Sequence, residues 1–91
     1  MEHMKEQVLI AKRGSVYISE TSHNSYMILN ITEDHPEYYR TECMMLPDSP
    51  DYDLNTNKIL PRTLSKFNPN GRIAHSNLGQ WHAHYTATIT S

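Results

Sequence analysis

The residues best suited to chemistry are histidines near the end of the chain, His75, His82 and His84, three of six in 91 residues. His82 and His84 lie in a stretch, Trp81 to Ser91, that alternates strictly: Trp81, Ala83, Tyr85, Ala87 and Ile89 on one side, the two histidines with Thr86, Thr88 and Thr90 on the other. A period of two is that of a half-buried β-strand, so both imidazoles stand on one outer face. Residues two apart on such a face lie about 7 Å apart at Cβ, close enough to converge on one metal ion, with His75 as a third ligand if a hairpin brings it opposite. Tyr85 to Ser91 holds no carboxylate to complete a ligand set, and the more economical reading is a polar strand face that happens to use imidazoles.

The same region offers a second chemistry. A metal-independent ribonuclease needs a general acid, a general base and cations for the charge that develops on phosphorus. His82, His84, Tyr85, Lys66 and Arg72 supply those types. Against it, alternation turns Tyr85 away from both histidines, and a formal charge of −2 is poor for a protein that must grip a polyanion.

Charge is segregated along the chain. Residues 33–53 hold Glu33, Asp34, Glu37, Glu42, Asp48, Asp51 and Asp53 against Arg40 alone, whereas residues 54–91 hold Lys58, Arg62, Lys66 and Arg72 with no acid. The two regions either attract each other within the fold or face different partners. Tyr38 and Tyr39 sit inside the acidic block, and adjacent residues of a strand point to opposite faces, so one of them is expected at the surface. Acids beside an exposed aromatic suit contact with a basic partner.

Other chemistry has less support. Cys43 is the single cysteine, which excludes an intrachain disulfide and a cysteine-rich zinc site and reads as a small buried residue. Three scattered glycines make no phosphate loop, and Asp48, Asp51 and Asp53 lack the glycine and terminal glutamate of a calcium loop. His3-Met4 has the form of a cloning scar and is kept out of any site. The polar start lacks the apolar stretch of a secretory signal, so the expected address is cytoplasmic and no membrane span is expected.

The elements that would position these groups are short. Residues 7–12 and 16–19 read as a hairpin around Gly14, and residues 25–31 as a third strand, followed by a loop over 32–36. Residues 37–46 fit strand or helix, with Tyr and Thr favouring strand. Residues 47–58, with two prolines and three aspartates, are expected as an exposed loop of a length that suggests a functional role. Leu60, Leu64 and Phe67 recur at helical spacing with Pro61 at the first turn, so one short helix is expected there, ended by Asn68 to Gly71. Residues 72–76 and 80–90 complete a second hairpin.

The expected fold is therefore mainly β (or α+β): one domain over residues 1–91, a small antiparallel sheet or partly open barrel of five to six short strands with one short helix. A Thr-rich outer edge at Thr86 to Thr90 could add a partner strand, including that of a second copy. The function expected is that of a small non-enzymatic binding or inhibitor-type protein, of the kind phages and mobile elements encode. It would occupy a basic site on another protein, such as one that handles nucleic acid, through Glu33, Asp34, Glu37, Tyr38, Tyr39, Glu42, Asp48, Asp51 and Asp53. No cofactor is expected unless His75, His82 and His84 hold a metal ion.

Overall fold

The structure, a computed structural model, describes residues 8–74. They form a five-stranded, wholly antiparallel open sheet in the order β4-β3-β2-β1-β5, built from β1 (Val16–Ser19), β2 (Ser25–Asp34), β3 (Tyr38–Met45), β4 (Leu60–Ser65) and β5 (Gly71–Ala74). The protein is mainly β, as its patterning predicts. No helix among the described residues is long and apolar enough to cross a membrane.

The β2–β3 ribbon is the spine. Alternation in residues 38–45 does select strand over helix, and Tyr39, Thr41 and Cys43 face the core while Arg40 and Glu42 face out. β2 runs three residues past its expected end, through Thr32–Asp34. Two register shifts, between Ile28 and Asn30 and between Ile31 and Glu33, fit this long strand to the shorter β3. Each adds an unpaired residue and deepens the local twist, and the Thr32 hydroxyl donates to the Arg40 carbonyl beside the second.

The short helix expected at residues 60–67 is absent: Leu60–Ser65 is β4, paired with β3 from Tyr38↔Ser65 to Cys43↔Leu60. The spacing of Leu60 and Leu64 fits both periods, because four is one helical turn and also an even number, which puts both on one face of a strand. Pro61 is tolerated because, among the described residues, β4 is an edge strand.

The first expected hairpin also gives way. Val16–Ser19 is paired on one side with β2 and on the other with β5, which leaves residues 8–11 no edge to join. They instead lie against one sheet face, with the Leu9 N–H donating to the Lys66 carbonyl (2.8 Å) and the Ala11 N–H to the Tyr39 hydroxyl (3.3 Å). The second expected hairpin keeps its first limb as β5, while residues 75–91 lie outside the described residues.

Leu9 and Ala11 cover Tyr17, Tyr26, Ile28, Tyr39, Cys43 and Leu64 on that inner face. On the opposite face a smaller cluster joins Val16, Met27, Met44 and Leu46. Met27 and Ile28, adjacent on β2 and 0% exposed, anchor one layer each, and full burial of such a side chain contributes about 1.5–3 kcal/mol. Gly71 lets β5 lie close to β1: a Cβ there would stand 2.5 Å from the Ile18 carbonyl oxygen and from the Tyr17 ring.

Candidate functional site

The seven acids that are neighbours in sequence separate in space. Glu33, Asp34 and Glu37 gather at the β2–β3 turn, whereas Asp48, Asp51 and Asp53 lie in the segment after β3, beside the start of β2. Ten residues of β2 put about 30 Å between the two groups. These six form two surfaces, and Glu42 stands between them on β3, opposite Asn30.

At the loop end, polar side chains fasten the segment in place. The Asn24 side chain, 3% exposed, donates to Asp51 Oδ2 (2.9 Å) and accepts from the Asp51 N–H (3.1 Å). Ser49 Oγ accepts from the Ser25 N–H (2.8 Å) and donates to the Ser25 carbonyl (3.1 Å). Asp53 accepts from the Asn55 N–H in a tight local turn. The expected loop over residues 47–58 is mostly exposed, yet these bonds fasten it to β2, and Asp48 projects from it into solvent.

The turn end is built differently. Even-numbered residues of β3 share the outer face, so Tyr38, Arg40 and Glu42 form a row there, with Glu33 of β2 directly opposite Arg40. The His35 ring stacks on Tyr38 with centroids 4.1 Å apart and planes within 7°. His35 is fixed in turn by its Nδ1, which accepts from the Glu37 N–H (3.0 Å). The Arg40 guanidinium lies 5.3 Å from the centre of the Tyr38 ring and pairs with Glu33 at 2.8 Å. A groove of about 240 Å³ runs beside this row, between Thr32, Arg40 and Glu42 on one side and Pro61 and Thr63 on the other. Tyr39, the other tyrosine expected in a contact surface, is 6% exposed and belongs to the core, where Lys66 Nζ sits 4.4 Å from its ring centre.

The acidic and basic regions do meet. β4 lies along β3, and Lys66 pairs with Asp34 across the sheet end. Arg62 does something else: from β4 it reaches over the inner face to β2 and β1, with its guanidinium carbon 4.2 Å from the Tyr26 ring centre and 5.7 Å from that of Tyr17. Its Nε is buried and has no hydrogen-bond partner. Above it opens a cleft of about 310 Å³ lined by Tyr17, Ser19, Thr21, Ser65 and Asn68. The Tyr17 hydroxyl donates to the Pro69 carbonyl at the cleft wall. Burial pushes the Tyr17 phenol above its ordinary pKa, with Arg62 pulling the other way and Glu20 adding to the rise. Burial likewise raises the Cys43 thiol, so this residue stays a neutral core group, as its solitary occurrence suggests.

Arg62 was not singled out among the cations of residues 54–91. The available signal was its position two residues from both Leu60 and Leu64, which in a strand places a charge inside an apolar stripe. His75, His82 and His84 lie outside the described residues, and among the described residues no three His, Cys, Asp or Glu side chains are grouped as a metal site. No family model matches the chain, and no curated protein or solved structure matches it.

Proposed function

We propose that the protein is a non-enzymatic binding module whose β2–β3 turn docks on a basic surface of a partner protein. The observation that carries this reading is the prearranged outer row at the turn: the His35–Tyr38 stack, braced by Arg40 and flanked by Glu33, Glu37 and Glu42. An aromatic surface already held in one conformation loses little entropy on association, and carboxylates around it steer and orient a cationic partner. The adjacent groove, with Glu42 at its rim, suits the insertion of one long basic side chain. Asp51 and Asp53 contribute to the loop's own architecture, which leaves them a smaller part in recognition.

The test compares the two ends. A turn variant combining Glu37→Gln, Tyr38→Ala and Glu42→Gln should capture at least tenfold less partner from the source cell than the wild type. A loop variant combining Asp48→Asn and Asp53→Asn should capture nearly as much, and capture by the wild type should fall as salt rises. Equal capture by wild type and turn variant would place recognition elsewhere.

A further inference from the structure

The cleft above Arg62 poses a separate problem of charge. A guanidinium lying over a tyrosine ring keeps N–H donors for other partners, and Arg62 is half-buried, so part of its hydration is lost and an anionic partner would offset that loss. Among the described residues Arg62 makes no ion pair, and its buried Nε makes no hydrogen bond. Residues 75–91 contain no aspartate or glutamate, so the side-chain carboxylates outside the described residues are Glu2 and Glu6. The cleft walls, meanwhile, present hydroxyl and amide groups from Ser19, Thr21, Ser65 and Asn68. Some of that capacity is already used: Ser19 Oγ accepts from the Thr21 and Ser22 N–H groups, and Ser65 Oγ from those of Phe67 and Asn68. Ser19 Oγ and Thr21 Oγ1 lie 3.0 Å apart, so one of that pair donates to the other, while the remaining hydroxyl hydrogen, that of Ser65 and the Asn68 amide are left to donate into the cleft.

We propose that this cleft binds the oxyanion group of a small molecule, a carboxylate or a phosphate, with Arg62 as its counter-ion. A volume of about 310 Å³ is at the small end of ligand sites, which limits the occupant to a compact metabolite. The Tyr26 and Tyr17 rings seat the guanidinium, whose planar geometry suits paired hydrogen bonds to the anion. The cleft opens on the inner face and the β2–β3 row on the outer one, so this site is independent of the docking surface proposed above.

The experiment is a titration of the full chain, labelled with ¹⁵N, against inorganic phosphate in one arm and succinate in the other, at constant ionic strength. The Nε–Hε signal of Arg62, identified by its disappearance in Arg62→Lys, should shift and saturate in at least one arm, and the tighter arm names the anion class. Because a charge-assisted bond contributes about 1.5–3 kcal/mol, Arg62→Gln should bind at least about tenfold more weakly. Arg62→Lys, which keeps the charge but loses the fork, should fall between, and Lys58→Gln should match the wild type. Absence of saturation in both arms, or unchanged affinity in Arg62→Gln and Arg62→Lys, would overturn the proposal. So would saturation seen only after Glu2→Gln and Glu6→Gln, because the chain would then supply its own carboxylate to the cleft.

Discussion

At the β2–β3 turn, Glu33 and Glu37 stand exposed around a stacked aromatic pair, whereas about 30 Å away Asp51 is taken up by the side chain of a buried asparagine. Both ends drew on the same acidic block of sequence. What separates them is the partner each carboxylate meets: a buried amide and local backbone at one end, an exposed guanidinium and open solvent at the other. An acid that satisfies a buried donor belongs to the fold, and one that faces water is available for recognition.

The difference should be largest in stability. Asn24→Ala removes both halves of the reciprocal bond with Asp51 and should lower unfolding free energy by about 2–3 kcal/mol in a denaturant titration. Glu37→Gln at the turn should change it by less than about 0.5 kcal/mol. Equal costs would erase the distinction. Next in size is Tyr38→Ala, which removes the His35 stack and the seat of Arg40; a loss of about 1 kcal/mol in the same titration is expected. A larger loss would mean that the turn is structural after all.

The smallest effects test the turn's own ion pairs by double-mutant cycles. Lys66–Asp34, where the lysine side chain is 15% exposed, should couple more strongly than Glu33–Arg40, where the side chains are 46% and 58% exposed. About 1 kcal/mol and a few tenths are expected, respectively, with salt reducing the second more. A reversed order would make Glu33 and Arg40 a fixed brace and leave Asp34 the freer acid.

Much of the sheet was legible because period-two alternation is strong where one face is buried, as in residues 25–31 and 38–45. β4 was not, because Leu60 and Leu64 satisfy helix and strand alike and only the pairing with β3 decides between them. Residues 8–11 carry a strand-like apolar run but lost their place to β5, a competition between distant segments that local pattern does not record. Of the residues proposed for contact, alternation left Tyr38 less buried than Tyr39, but sequence proximity merged acids from two ends of the sheet and included Tyr39, a core residue. Arg62 went unseen because its meaning depends on Tyr17 and Tyr26, 45 and 36 positions away in the chain.

Gly71 carries a consequence for how freely this chain can vary. Its missing side chain is the space that the Tyr17 ring occupies, and the Ile18 carbonyl closes the other side, so neither backbone nor a short rotation can make room for even one methyl group. A library randomised at position 71 and selected for folded protein should therefore return glycine almost alone, while the same library at Arg72, exposed on the same strand, should return many residue types. What position 71 supplies to the fold is an emptiness, room for the Tyr17 ring and for β5 to close on β1.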